Sequence, residues 1–223
     1  SGFYVDIGAA HPTKDSVTQF FYQKGWTGIN IEPNPNYHSL LIKDRKKDIN
    51  LCCAISDYDG EAEFQLVKND PQLSSLRKIS NHLVQDYKLN VCSESVKVFT
   101  LQAILDKYKV SNIDFLKIDA EGSEKEVLLG LDFSKFSARI ILIESIAAKS
   151  KISVRDHWES ILISQNYCRV YFDGINDYFV KKEDTAAIEA LSIPLNSSDN
   201  CIRSEFLKPR FLLKSFIKTL SWI

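Results

Sequence analysis

The sequence predicts an α/β fold: a mostly parallel sheet with helices on both faces and an antiparallel hairpin near its C-terminal end. Three observations carry this prediction. Short apolar, β-favouring runs recur at 3–7, 28–32, 49–55, 113–119 and 139–145, with helix-like spacing between most of them. Several of these runs end in an acid, as at Asp6, Glu32, Asp119 and Glu144, followed by small or turn-forming residues. Two further runs, 167–173 and 177–182, flank an Asp173-Gly174 turn and read as a hairpin. Near-continuous apolar strands alternating with helices need cover on both faces of the sheet.

The chain is organised around Phe3-Tyr4-Val5-Asp6-Ile7-Gly8-Ala9-Ala10, a buried strand running into a tight loop. Gly8 has no Cβ, so its backbone can turn sharply and approach a ligand. Ala10 stands where a G-x-G-x-x-G loop would have its second glycine, which disfavours a pyrophosphate ligand and with it an NAD-dependent dehydrogenase. Residues 13–24 carry Val17, Phe20, Phe21 and Lys24 at helical spacing and predict a helix. Gly28 to Glu32 is the second strand. An acid at that position in nucleoside-binding folds accepts hydrogen bonds from the two ribose hydroxyls. Pro33-Asn34-Pro35 ends the strand and opens a helix over 36–45.

Residues 49–55 predict a third buried strand ending at Ser56-Asp57, and the alternation from Glu61 to Val67 predicts an antiparallel strand. Residues 69–95, with Ser74-Ser75-Leu76, Arg77-Lys78 and His82, read as a mobile insertion over the site. Val96 to Phe99 is a short strand, and Thr100 caps a helix to about Tyr108. The fourth strand, 113–119, aims Lys117 and Asp119 the same way, and Ala120-Glu121-Gly122-Ser123-Glu124 turns into a helix ending near Gly130. A helix is predicted over 155–165, where His157-Trp158 either lines an acceptor site or faces the core. Strand ends of an open α/β sheet converge on one cleft, so Asp6, Glu32, Asp119, Glu121 and Glu144 are expected there together.

Composition is that of a folded domain with a sizeable core: 223 residues, 44% hydrophobic and 26% charged. A net charge of −1 argues against nucleic acid as a partner. The five cysteines, 52, 53, 92, 168 and 201, have no regular spacing and no C-x-x-C pair. They predict reduced thiols in a cytoplasmic setting rather than a zinc cage. No signal peptide or transmembrane run is visible. The chain opens Ser-Gly and contains no methionine, so it is expected to be part of a longer protein, with Ser1-Gly2 left from a tag. The expected division is a domain over 3–182 and an extension over 183–223. The extension ends in a basic amphipathic segment, 209–223, that packs on the body, pairs two copies in a homodimer, or touches the inner face of the membrane.

Asp6-Ile-Gly-Ala, Glu32-Pro-Asn-Pro, Ala54-Ile-Ser-Asp57, Ser75-Leu76 and above all Leu116-Lys-Ile-Asp-Ala-Glu-Gly-Ser-Glu124 together resemble the FkbM-type S-adenosylmethionine-dependent methyltransferases over residues 3–182. The resemblance implies the class I methyltransferase fold, with a seven-stranded sheet, and O-methylation of a hydroxyl on a sugar or a polyketide-type natural product. A saccharide acceptor, as in O-antigen or capsule assembly, is the first expectation. A catalytically silent cofactor-binding module of a larger glycan-assembly protein is the rival from another class. The chain departs from the family pattern at Ala9-Ala10-His11-Pro12, where a glycine is more usual.

Carried onto this chain, the resemblance implies that Asp6, Gly8 and Ala10 shape the pocket for the methionine part of S-adenosyl-L-methionine. Glu32, beside Pro33, takes the ribose hydroxyls, and Ser56 and Asp57 border the adenine. Asp119 lies beside the sulfonium and the incoming hydroxyl, and Ser75, Glu121 and Glu144 face the acceptor. A hydroxyl of high pKa needs help to lose its proton, from a base or a metal. Asp119 is the first candidate base, followed by Lys117, His11 and Glu121, although Lys117 and Asp119 also read as a structural ion pair. Asp119 and Glu144 are the candidate ligands for a magnesium- or manganese-type cation, since hard cations take such oxygens.

Overall fold

The computed structural model describes residues 2–192; the amphipathic segment 209–223 and Cys201 lie outside the described residues. The chain runs β1 (Phe3–Ile7), α1 (Gln19–Gln23), β2 (Thr27–Ile31), α2 (Pro35–Asp44), β3 (Ile49–Leu51), β4 (Ala54–Ser56), β5 (Gly60–Val67), α3 (Asn81–Asp86) and β6 (Val91–Thr100). It continues with α4 (Leu101–Lys107), β7 (Ile113–Ile118), α5 (Glu124–Leu129), β8 (Ala138–Glu144), α6 (Glu159–Ser164), β9 (Tyr167–Phe172), β10 (Asn176–Lys181) and α7 (Thr185–Ser192).

Seven strands form one sheet in the order β3-β2-β1-β7-β8-β10-β9. The pairs from β3 to β8 are parallel, and β10 enters antiparallel between β8 and β9. This is the expected mostly parallel sheet with a terminal hairpin. The order reverses between β1 and β7, so the switch point of the sheet lies between their carboxyl ends. Successive side chains of a strand face opposite sides. Val5, Leu116 and Ile141 accordingly join the large core, whereas Tyr4, Phe115 and Leu142 join a second cluster with Phe21 and Trp26. Both faces of the central strands are therefore covered.

Three stretches differ from the sequence expectation. The helix expected over 13–24 is only α1; residues 11–18 are loop, with Asp15 at a positive φ of 56°. The strand expected over 49–55 breaks at Cys52-Cys53 into β3, in the large sheet, and β4, in a separate three-stranded sheet ordered β4-β6-β5. Residues 69–95 are not a structureless insertion. They hold a 3-10 turn at Pro71–Leu73, helix α3 and the first half of β6, and they bury Leu73 and Leu89 with Val67. Past the expected boundary at 182, α7 packs on β9, buries Ala187 and is tied back by the Arg139–Asp184 ion pair. Cys52, Cys53, Cys92 and Cys168 are free thiols. Among the described residues no helix is long and apolar enough to cross a membrane.

Candidate functional site

A cleft of about 450 Å³ opens at the carboxyl ends of β1, β2, β7 and β8, within the size range of small-molecule sites. Its floor begins with β1. Gly8 turns the chain with φ 71°, and an added Cβ there would collide with the backbone carbonyl of Asp119. The two loops that leave β1 and β7 thus touch across the switch point, a contact that only glycine permits. The Asp119 N–H donates to the Ile7 carbonyl at 3.1 Å and extends the ladder by one bond.

Parallel register places Asp6 directly opposite Lys117. Lys117 is 7% exposed, and its Nζ lies 3.2 Å from Asp6 Oδ1 and 3.2 Å from Asp119 Oδ2 while donating to the Gly8 carbonyl at 2.9 Å. Burial opposes the ammonium charge, yet the Asp119 and Asp6 carboxylates outweigh it and hold the proton more tightly than an ordinary lysine does. Lys117 thus lies as a cation between two carboxylates, the geometry of the structural ion-pair reading. Asp6 is also bonded by Thr18 Oγ1 at 2.6 Å.

At the end of β2, buried Glu32 accepts from the Ala10 N–H at 2.8 Å through Oε2 and from the Asn34 N–H at 2.7 Å through Oε1. It locks the loop after β1 to the start of α2 and lines the cleft, as do Asp6, Gly8, Ala10 and Pro33. Burial pushes its carboxyl up to about 7; the bonds from Asn34 and Ala10 and the charge of Lys117 restrain that rise, and Asp6 adds to it. Ala54, Ile55 and Phe64 give the same cleft an apolar flank.

On the other side of Asp119 lie Glu121 and Glu144, and all three carboxylates bring an oxygen within 4.8 Å of one another. Burial raises Glu121 to about 8, helped by Asp119 and Glu124, and raises Glu144 to about 10, helped by Asp119 and Glu121. Lys117 offsets both only in part. The cleft thus holds one paired side, Asp6–Lys117–Asp119, and one side of crowded acids in which burial and mutual repulsion favour the protonated form. Glu121 is itself at φ 49°, a conformation that non-glycine residues seldom adopt.

Four of the expected residues are placed elsewhere. His11 does not line the cleft; its Nδ1 lies 3.2 Å and 3.0 Å from the N–H groups of Thr13 and Lys14, which donate to it and shape the local loop. Ser56 and Asp57 turn away: the Ser56 hydroxyl bonds Asp57 at 3.2 Å, and the Ser56 carbonyl packs against Gly130. Their neighbours Ala54 and Ile55 line the cleft in their stead. The Ser75 hydroxyl is buried and donates to the Glu121 carbonyl at 2.8 Å, so it supports the acidic loop rather than facing the cleft. Trp158 is 1% exposed in the core, which settles its reading on the core side, and neither it nor His157 lines the cleft.

Other residues of the site were not anticipated. Lys14, Asp15, Ser16 and Val17 line the cleft because the expected helix is a loop there. Thr18, Arg45 and Tyr37 carry no local motif, and a Thr three residues after an Asp in a predicted helix gave no reason to pair it with Asp6.

A family model described as the methyltransferase FkbM domain matches residues 6–183. No curated protein matches the chain. Among solved structures, the chain is similar to the methyltransferase FkbM from Methylobacillus flagellatus KT, with 16% identity and a TM-score of 0.48. The match covers 80% of this chain and 43% of that one, so this chain spans less than half of that protein's length.

Proposed function

From the premise that the chain belongs to the FkbM methyltransferase family, we propose that it transfers a methyl group from S-adenosylmethionine to a hydroxyl of a saccharide acceptor, in surface-polysaccharide assembly. The observation that carries the reading is the meeting of Asp6, Glu32, Lys117 and Asp119 in one cleft at the switch point, beside the crowded acids Glu121 and Glu144.

The residues present fit an adenosyl-sulfonium cofactor. The glycine-only contact at Gly8 brings the loops after β1 and β7 together, so that Gly8, Ala10 and Asp119 line one cleft. Each oxygen of Glu32 keeps a lone pair beyond the backbone N–H it accepts. The apolar flank of Ala54, Ile55 and Phe64 suits a purine. When bound, S-adenosylmethionine supplies an electrophilic methyl on a good leaving group, so positioning carries much of the rate. Lys117 balances Asp6 and Asp119 and keeps both in place. Asp119, tied to Lys117 at 3.2 Å with its side chain 34% exposed, is the base assigned to the acceptor hydroxyl. Glu121 and Glu144 line the acceptor side and hydrogen-bond its hydroxyls.

As a second reading, Asp119, Glu121 and Glu144 would be the residues to hold a magnesium- or manganese-type ion, which would supply Lewis-acid help in deprotonating the acceptor hydroxyl. A polyketide-type alcohol as acceptor, or a silent cofactor-binding module, are the remaining alternatives. Calorimetry with S-adenosylhomocysteine, then an acceptor screen of nucleotide-activated sugars and macrolide alcohols with and without divalent ions, separates them. Asp119→Ala is expected to abolish turnover with cofactor affinity largely kept; unchanged turnover would refute its role as base.

A further inference from the structure

The loop 10–17 forms one wall of the cleft but belongs to no helix or strand, and its anchors are side chains from three different elements. Glu32, at the end of β2, takes the Ala10 N–H, and Asp6, on β1, takes the Thr18 hydroxyl. These fix the two ends. The middle is held by Arg45, which follows the last turn of α2. Its Nε and Nη2 both donate to the Pro12 carbonyl, at 3.0 and 2.6 Å, and Nη2 also donates to Ser16 Oγ at 2.9 Å.

Arg45 is 1% exposed, so its charge has left water almost entirely. Burying an ion costs several kcal/mol unless its donors are met. Here Nη1 donates to Tyr4 Oη at 3.1 Å, Asp48 lies 4.0 Å away, and the guanidinium sits 5.0 Å from the Tyr22 ring centroid. Asp48 is in turn bonded by Tyr4, by Asn30 Nδ2 at 3.0 Å and by the Gly28 N–H at 3.0 Å. The planar fork thus joins the sheet, α2 and the loop in one neutral cluster.

We infer that Arg45 is the positioning residue for the cofactor wall: it holds residues 12–16 in the open loop that lines the cleft, where the sequence alone would continue a helix. The inference rests on the reading that this cleft takes S-adenosylmethionine. In this chain, which lacks a glycine-rich loop, the shape of the wall is set by a buried guanidinium. No atom of Arg45 lines the cleft, so its effect on binding acts through the loop.

The test compares wild type, Arg45→Lys, Ser16→Ala and a control, Tyr167→Phe. Tyr167 is buried on β9, away from the cleft, and its hydroxyl donates to the Ala138 carbonyl at 2.6 Å. Affinity for S-adenosylhomocysteine is read by calorimetry, loop order by hydrogen exchange over residues 10–18, and stability by thermal unfolding. If the competent loop falls to a tenth of the population, Arg45→Lys weakens binding about tenfold. It also speeds exchange over 10–18, whereas Tyr167→Phe lowers Tm and leaves affinity unchanged. Affinity and exchange at wild-type level in Arg45→Lys overturn the inference, as does a loss of affinity that the control matches at equal Tm. Should Arg45→Lys not fold, Ser16→Ala decides, because it leaves the buried cluster intact: faster exchange with weaker binding supports the clamp, and no change in either overturns it. A wild-type protein that takes up no S-adenosylhomocysteine refutes the cofactor reading itself, and the exchange measurement then still reports whether Arg45 orders the loop.

Discussion

At the scale of single residues, two glycines show how context decides cost. Gly8 and Gly25 both have positive φ, 71° and 85°. A Cβ at Gly25 would meet nothing within 4 Å, so Gly25→Ala carries only the left-handed backbone penalty, about 1 kcal/mol. A Cβ at Gly8 would meet the Asp119 carbonyl, so the loops after β1 and β7 would have to part. Gly8→Ala is expected to cost about 3 kcal/mol, combining backbone strain with overpacking. It should also weaken S-adenosylhomocysteine binding, because Gly8, Ala9 and Ala10 of the displaced loop after β1 line the cleft. Urea midpoints and calorimetry on the two variants check this; equal behaviour would contradict the contact. The chemistry of this position was legible in the string Asp6-Ile-Gly-Ala. The Asp6–Lys117 pairing was not, because it depends on β1 and β7 being neighbours, which no local pattern records.

At the scale of elements, the informative case is the stretch read as a mobile insertion. Its ordering is long-range. Ser75 pairs with Gln65 through two backbone bonds of 2.8 and 3.0 Å, and its hydroxyl reaches the Glu121 carbonyl. Arg77 donates through Nε to the Gly122 carbonyl and through Nη2 to Glu126 Oε1 at 2.6 Å. The segment therefore straps down the loop that carries Glu121. Periodicity sees only neighbours in sequence, so polar residues that bond groups more than forty positions away read as loose chain. The same blindness joined β3 to β4: Ile-Asn-Leu-Cys-Cys-Ala-Ile is a nearly unbroken apolar run without a Gly or Pro break, and only pairing with two different sheets divides it. Elements whose partners are adjacent in sequence, such as β9 and β10 or the Thr100-capped α4, were legible almost to the residue. Arg77→Ala removes an exposed pair and one bond to a carbonyl, so its stability cost should be about 1 kcal/mol. Its expected signature is local: faster hydrogen exchange over 120–126 and lower methyl transfer, with S-adenosylhomocysteine affinity unchanged. Unaltered exchange there would show that the strap does not order the acidic loop.

At the scale of the whole molecule, the cleft concentrates acids whose folded state favours the proton. Glu32 is raised to about 7, Glu121 to about 8 and Glu144 to about 10, each from an ordinary 4.5 and each chiefly by burial. For a carboxyl raised on folding, the native state binds the proton more tightly than the unfolded chain does. The stabilisation this gives is fully present below pH 4.5 and is lost as pH rises through the folded value. All three groups run in the same direction, so the free protein should be more stable near pH 5 than near pH 9. For Glu32 alone the shift corresponds to about 3 kcal/mol between those limits. Asp132 and Asp184 are lowered by their partners and work the opposite way as pH falls, but both are on the surface, where such pairs contribute little. Urea unfolding from pH 5 to 9 should therefore show a falling midpoint, and Glu32→Gln should flatten the part of that slope below about pH 7. A midpoint that rises with pH would mean that the acids are not held as the fold places them. If the cleft takes S-adenosylmethionine as proposed, the sulfonium charge would relieve the repulsion that Asp119, Glu121 and Glu144 exert on one another as they lose protons. Ligand-induced stabilisation should accordingly grow with pH at fixed free ligand, and thermal shifts with S-adenosylmethionine against the uncharged S-adenosylhomocysteine sulfur isolate the contribution of the sulfonium charge.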